Sequence, residues 1–342
     1  MTNEAPAFTP VTLITGFLGS GKTTLLQGLL ADPALADTAV LINEFGDVGL
    51  DHHLLERIDE RTVLLQSGCL CCTVRGELAD AMRELHSKRT RGIVPMFRRV
   101  AIESTGLADP FPVLTTVHAD PVLKHHFRMA GVVTTVDAVN GARHLAMHPE
   151  SVKQVAVADR IVLTKTDLAA AATIESVVRR VRAINPDSVV LDAHTAGGAD
   201  AALLSDDVTV AFERRDPMVQ SWLAEETRAA ATGTSRHADD IHAFALVFDQ
   251  PLEWTAFGIW LTMLLNRHGN EVLRVKGILD VAGADAPVAV HGVQHLVHPP
   301  VHMRAWPNSE RRSRIVFIVK GLDQEAIERS LAVFVGLRVA AV

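Results

Sequence analysis

A glycine-rich loop with one lysine lies near the start of the chain. Residues 16–23, Gly-Phe-Leu-Gly-Ser-Gly-Lys-Thr, match the pattern G-x-x-x-x-G-K-[ST] between an apolar run and a helical pattern. In such a loop the backbone N–H groups curl around phosphate oxygens, Lys22 bridges the outer phosphates and the Thr23 hydroxyl binds Mg²⁺. The residues expected to bind a nucleotide here are Gly16, Gly19, Ser20, Gly21, Lys22, Thr23 and Thr24.

A second nucleotide element is predicted where the apolar run 99–104 ends in a carboxylate. Mg²⁺ bound to the loop hydroxyl needs an anchor on its opposite side, and Glu103 can hold metal-bound water there. Gly106 lets the backbone approach the third phosphate. Lys22, Thr23 and Glu103 are therefore the residues expected to arrange the phosphates and Mg²⁺ for hydrolysis. A helix cap or a solvated carboxylate is the alternative for Glu103.

The choice of base rests on residues 164–167, Thr-Lys-Thr-Asp, at the end of another apolar run. Asp167 can accept hydrogen bonds from guanine N1–H and N2–H₂, which adenine does not offer, so GTP is favoured over ATP. The aliphatic stem of Lys165 can lie over the base. Many GTPases carry asparagine at the position of Thr164, and the smaller hydroxyl is expected to weaken one contact. An ATPase or a small-molecule kinase would use the same phosphate loop and stays open as an alternative.

The three cysteines of the chain lie within four residues, at Cys69, Cys71 and Cys72. They are too close together to form the disulfide framework of a secreted domain, so reduced thiols are expected. Thiolates suit Zn²⁺, and Co²⁺ is also possible. Three ligands leave a fourth position for a carboxylate, histidine, water or partner, which suits a site that hands its metal on. Buried cysteines that pack as small apolar residues, or a redox pair, are the alternatives.

The elements that must position these motifs alternate between apolar runs and helical patterns. This alternation predicts an α/β fold with a mainly parallel sheet that is covered by helices on both faces. A smaller α+β domain is expected after a polar, alanine-rich stretch. The predicted boundaries are a P-loop domain over residues 1–215, a linker over 216–240 and a C-terminal domain over 241–342.

Composition narrows the class of protein. With 342 residues, the chain has room for about two domains. Its 33 basic and 40 acidic side chains give a net charge of −7, which disfavours nucleic acid and anionic membranes as partners. The first residues lack a signal-peptide pattern and no apolar run reaches about 18 residues, so a cytoplasmic protein is expected.

The ordered motifs GFLGSGKTT, NEFGDVGLD, GCLCCTVRGEL, ESTGLADP and TKTD, with the C-terminal segments LRVKGILDV and VHGVQHLVHPP, extend over nearly the whole chain. Together they resemble the CobW family of P-loop GTPases, a metallochaperone group with zinc-transferring, cobalt-handling and nitrile hydratase-activating members. The resemblance implies GTP-driven delivery of a divalent metal, zinc first, to a client metalloprotein, with Cys69, Cys71 and Cys72 as metal ligands. Residues 43–46 then look like the first switch region, and Glu44 and Asp51 are candidate additional ligands or solvated acids.

Two departures from the family pattern leave alternatives open. Thr164 replaces the usual asparagine, and the long histidine-rich tract of many members is absent. Four of the sixteen histidines, at positions 291, 295, 298 and 302, could share a metal only if Pro299 and Pro300 turn the chain. Besides zinc delivery, a cobalt-handling protein of cobalamin biosynthesis and a nucleotide-regulated zinc store remain possible. The expected cofactors are GTP, Mg²⁺ and Zn²⁺, with Co²⁺ as the alternative metal, and the oligomeric state is left open.

Overall fold

The structure is a computed structural model, in which the chain divides into two compact units. It describes residues 8–43, 63–67, 74–195, 200–205, 241–306 and 311–336. The predicted linker and the three cysteines lie outside these ranges, so the domain boundaries remain predictions.

The first unit contains seven described strands in one parallel sheet. They are β1 (Thr9–Gly16), β2 (Thr38–Asn43), β3 (Val63–Ser67), β4 (Arg99–Glu103), β5 (Phe127–Asp137), β6 (Arg160–Thr164) and β7 (Val189–Asp192). Their order is β3-β2-β4-β1-β5-β6-β7, and every neighbouring pair is parallel. The predicted fold class is confirmed, and β7 is the strand that the apolar runs did not indicate.

Helices connect and cover these strands. They are α1 (Lys22–Leu30), α2 (Val74–Thr90), α3 (Phe111–Ala119), α4 (Leu123–His126), α5 (Gly141–Met147), α6 (Pro149–Val157), α7 (Ala171–Ile184) and α8 (Ala202–Ser205). All five residues of β6 are buried, as expected for a strand covered on both faces. Leu26 of α1 is fully buried in the cluster that contains Ile14 and Val40 of the sheet. Burial of one such leucine side chain contributes about 2 kcal/mol to folding.

The strand order creates a cleft at one edge of the sheet. The chain winds to one side of β1 through β2, β3 and β4, and then to the other side through β5, β6 and β7. Ligands of open α/β sheets bind outside the carboxyl ends of the strands where the winding reverses. Gly16, Glu103, Asp137 and Thr164 are the last residues of β1, β4, β5 and β6, so they meet at this edge.

The second unit is a smaller α+β structure, also as predicted. Its described elements are β8 (Ile241–Phe248), α9 (Trp254–His268), β9 (Val272–Leu279), β10 (Val288–Val293), β11 (Leu296–Val297), β12 (Val301–His302), β13 (Ser313–Lys320) and α10 (Gln324–Val335). The antiparallel sheet has the order β11-β10-β9-β13-β8, and β12 pairs with β10. Trp260 of α9 is buried and donates a hydrogen bond from Nε1 to Oγ of Ser330 on α10, 2.9 Å away, which ties the two helices together.

The four C-terminal histidines do not form a shared metal site. His291 is buried on β10, His295 has its ring against Gly269, and His302 pairs with Val288 on the neighbouring strand. Across the described ranges, no group of three or more His, Cys, Asp or Glu side chains could hold a metal ion. None of the described helices is long and apolar enough to cross a membrane.

A pair of stacked histidine rings should make the folding stability of the protein depend on pH. The rings of His86 on α2 and His126 on α4 lie 3.9 Å apart, and Arg89 Nη2 is 3.2 Å from His86 Nδ1. Burial lowers the pKa of His86, and the charges of His126 and Arg89 lower it further. The unfolded chain therefore binds the proton more readily, and stability is lost as pH falls below the unfolded histidine pKa of about 6.5.

We expect the free energy of unfolding in urea to fall between about pH 7.5 and pH 5.5, and the variant His86→Gln to lose part of this fall. Burial also lowers the pKa of His118 and of His144, so some pH dependence should remain. His125→Gln, at an exposed position on the same helix as His126, is the matched control. An unchanged pH dependence in His86→Gln would contradict this assignment.

Candidate nucleotide-binding site

The phosphate loop joins the end of β1 to the start of α1. Gly16 has φ of 143°, and a Cβ atom there would lie 2.3 Å from Thr135 Oγ1, so no larger residue fits. Gly21 has φ of 86° and precedes the first residue of α1, a conformation that costs glycine little. The loop therefore has the backbone path that the sequence pattern predicts.

Lys22 lies across this loop. Its Nζ donates hydrogen bonds to the carbonyl oxygens of Gly16 at 3.0 Å and Phe17 at 3.2 Å. Burial lowers the pKa of Lys22, whereas the nearby Glu103 carboxylate raises it. Phosphate oxygens placed in the loop would stabilise the charged amine, so nucleotide binding would favour the protonated form of Lys22.

Thr23 and Glu103 meet although they are far apart in sequence. Thr23 Oγ1 donates to Glu103 Oε1 at 2.6 Å, and the Glu103 side chain is buried at the end of β4. A hydroxyl and a carboxylate side by side at a phosphate site are oxygen ligands of the kind that Mg²⁺ prefers. The residues present therefore fit the metal that the loop implies.

Thr164 keeps a direct contact with the phosphate loop. Its Oγ1 donates to the carbonyl oxygen of Ser20 at 2.8 Å. A second hydroxyl contact joins Ser20 Oγ and Thr135 Oγ1 at 2.6 Å. The loop is thus fastened to β5 and β6, and threonine at position 164 retains a bond to it. Thr24 lies one residue further into α1 and is exposed.

Lys165 is held by a carboxylate that sequence reasoning missed. Its Nζ donates to Gly19 O at 2.7 Å and to Asp137 Oδ2 at 2.7 Å. Burial raises the pKa of Asp137, but hydrogen bonds from Lys165, Asn140 and Val139 outweigh it and lower that pKa below its usual value. Asp137 therefore stays charged and fixes Lys165. The available signal was its position after an apolar run, which matches that of Glu103.

Asp167 is accessible to a base but already has a partner. It lies in a short 3₁₀ turn, about half exposed, with Oδ1 3.0 Å from His194 Nε2. Asp192, at the end of β7, accepts hydrogen bonds from Thr166 Oγ1 at 2.7 Å and from the backbone N–H of His194 at 2.9 Å. The segment after β7, which the sequence did not indicate, therefore packs beside the residues that were predicted to bind the base.

The predicted metal motif and first switch cannot be compared with these contacts. Cys69, Cys71, Cys72, Glu44 and Asp51 lie outside the described residues. Their roles remain predictions.

Two family models match this chain. Residues 10–192 match the family model for the CobW/HypB/UreG nucleotide-binding domain. Residues 241–335 match the family model for the C-terminal domain of the cobalamin synthesis protein cobW. The chain belongs to the CobW family. The first match contains the phosphate loop, Glu103 and the Thr-Lys-Thr-Asp segment, and the second covers the α+β unit.

Relatives within the CobW family cover nearly the whole chain. The zinc chaperone YjiA of Escherichia coli is 34% identical over 96% of this chain and 98% of its own length. The zinc chaperone CobW of Pseudomonas aeruginosa is 30% identical over 94% of this chain and 90% of its own. A crystal structure of a zinc-bound triple mutant of the YjiA GTPase superposes with a TM-score of 0.72, at 30% identity, over 97% of this chain and 99% of that one.

Proposed function

We propose that this chain is a cytoplasmic GTPase that binds Zn²⁺ through Cys69, Cys71 and Cys72 and delivers it to a client metalloprotein. The observation that carries the nucleotide part is the assembly of Lys22, Thr23 and Glu103 at one sheet edge. The metal part is supported by the cysteine motif and by full-length relatives that are zinc chaperones.

Different side chains of the site bind the phosphates, Mg²⁺ and the base of GTP. Lys22 exchanges the carbonyls of Gly16 and Phe17 for phosphate oxygens. The Thr23 hydroxyl and the Glu103 carboxylate would hold Mg²⁺, which would neutralise charge on the phosphates during hydrolysis. Asp167 accepts the two guanine donors, and Asp137 keeps Lys165 positioned beside the base.

Coupling between nucleotide and metal is supported by the position of the cysteine segment. It follows β3, whose carboxyl end lies at the same sheet edge as those of β2 and β4. A contact to the third phosphate that orders residues 43–51 and 67–76 would change the geometry of the thiolates, and hydrolysis would release it. GTP then sets the affinity for metal.

Competition measurements of Zn²⁺ and Co²⁺ affinity, under reducing conditions with Mg²⁺, test the proposal. The protein is loaded first with a non-hydrolysable GTP analogue and then with GDP. A large difference in affinity between the two states is expected, and the metal with the larger difference is the cargo. Equal affinities in both states would contradict gated delivery and would favour constitutive metal binding or a GTPase whose cysteines serve another purpose. A difference in affinity together with GTP turnover that responds to neither metal nor client would favour the nucleotide-regulated zinc store over delivery.

The variant Glu103→Gln tests the assignment of the Mg²⁺ anchor. It keeps the size of the side chain but removes the charge, so we expect the Mg²⁺ concentration for half-maximal GTP hydrolysis to rise about tenfold. Glu175→Gln, at an exposed position of α7, is the control and should not change this concentration. An unaltered Mg²⁺ requirement in Glu103→Gln would show that the anchor lies elsewhere.

A further inference from the structure

A buried glutamine binds the segment that follows β4. Gln154 of α6 is fully buried, and its Nε2 donates to the carbonyl oxygens of Gly106 and Ala108, each at 3.1 Å. These two acceptors fix the orientation of the amide, because the reverse orientation would place its oxygen against two carbonyl oxygens. Both amide hydrogens are therefore committed to one short stretch of backbone, residues 104–109.

The helix that carries Gln154 is itself fastened on both sides of this contact. The backbone carbonyl of Gln154 accepts from Thr134 Oγ1 of β5 at 2.9 Å. The neighbouring Lys153 pairs with Asp109 through Nζ and Oδ2 at 2.8 Å. Two successive residues of α6 therefore hold the 104–109 segment, and the glutamine does so without competition from solvent.

The opposite side of this segment lies against the phosphate loop. A Cβ atom on Gly106 would lie 2.6 Å from the backbone nitrogen of Leu18, so the two backbones are in direct contact. The Ser104 hydroxyl donates to Thr15 Oγ1 at 2.8 Å. Residues 104–109 thus contact the phosphate loop through Gly106 and α6 through the Gly106 and Ala108 carbonyls, directly after the proposed Mg²⁺ anchor Glu103.

We propose that Gln154 is a positioning residue for recognition of the third phosphate of GTP: by holding the Gly106 and Ala108 carbonyls, it fixes the Gly106 backbone so that its N–H meets that phosphate. The inference rests on the proposed function and adds a residue to it. GDP has no third phosphate, so Gln154 acts on the discrimination between GTP and GDP. Binding of the base and of the inner phosphates does not depend on it.

Two variants separate this role from a contribution to folding alone. Gln154→Leu removes both donors, and Gln154→Glu keeps the shape but turns an acceptor toward the two carbonyls. We expect the ratio of GTP-analogue affinity to GDP affinity to fall about tenfold in both, together with kcat for GTP. The affinity for GDP should stay within about twofold of wild type, which also shows that the variants fold.

Val152→Ala is the matched control, because Val152 is buried on the same helix and makes none of these hydrogen bonds. It should lower thermal stability and leave the affinity ratio unchanged. The inference would be overturned if a folded Gln154 variant kept the wild-type ratio of GTP-analogue affinity to GDP affinity. It would also be overturned if Val152→Ala lowered this ratio as much as the Gln154 variants do. Neither result would contradict the proposed GTPase. A wild-type protein that binds neither nucleotide would overturn the proposed function together with the inference.

Discussion

Replacement of Lys22 by methionine should weaken GTP binding by at least about a hundredfold and abolish GTP hydrolysis. The amine is enclosed by the loop, where it contacts the Gly16 and Phe17 carbonyls at 3.0 and 3.2 Å. Each charge-assisted hydrogen bond from such a group contributes about 1.5–3 kcal/mol, and Lys22 reaches more than one phosphate. Methionine keeps most of the length of the side chain, being one atom shorter, but leaves the phosphate charge without a counter-ion.

Equilibrium titration with a fluorescent GTP analogue measures this effect, and phosphate release measures turnover. Lys88→Met removes an amine of the same kind that pairs with Glu84 on the surface of α2, and it should change neither quantity. A Lys22→Met protein that retains wild-type affinity would refute the assignment of residues 16–23 as the phosphate loop.

Replacing Cys69 and Cys71 together by serine should weaken the tightest Zn²⁺ binding by at least about a hundredfold. Serine hydroxyls remain protonated at neutral pH and are poor zinc ligands, whereas thiolates bind this ion strongly. GTP affinity should stay within about twofold, because the contacts to the phosphate loop and the base come from other residues. The expected result is therefore a loss of metal with nucleotide binding retained.

The zinc measurement must report affinity, since bound zinc alone is not decisive. The triple mutant of the YjiA GTPase that was crystallised with zinc has two cysteines changed to alanine. A chelator competition under reducing conditions separates a tight site from weaker ones. The double variant His298→Gln and His302→Gln is the control. If it, rather than the cysteine variant, lost the tightest site, the metal motif would have been assigned to the wrong residues.

The parts of the site that lie on single strands could be predicted from the sequence. A buried parallel strand is an apolar run, and Gly16, Glu103 and Thr164 each mark the end of one. The strand β7 was missed because its four residues are only partly buried, which leaves no sustained apolar pattern. The two-residue strands β11 and β12 are too short for any periodicity to show.

The contacts that complete the site could not be predicted in this way. Thr164 and Ser20 are 144 positions apart, Gln154 and Gly106 are 48 apart, and Lys165 and Asp137 are 28 apart. Each pair depends on which strands and helices become neighbours, and one chain's periodicity does not specify that order. A polar residue after an apolar run indicates the edge of the sheet, but not its partner across the edge.

On the proposed function, the contact between His194 and Asp167 makes an imidazole of the protein compete with the base for the same carboxylate. Guanine must displace the imidazole, and it replaces one N–H donor with two. Adenine brings no donor to that position, so its entry would leave the carboxylate without the imidazole and give nothing in return. Both side chains are about half exposed, so breaking the pair costs about 1 kcal/mol or less. Selectivity for guanine therefore includes the small free-energy cost of breaking the His194–Asp167 contact. Only guanine offsets this cost, because it alone donates new hydrogen bonds to the carboxylate.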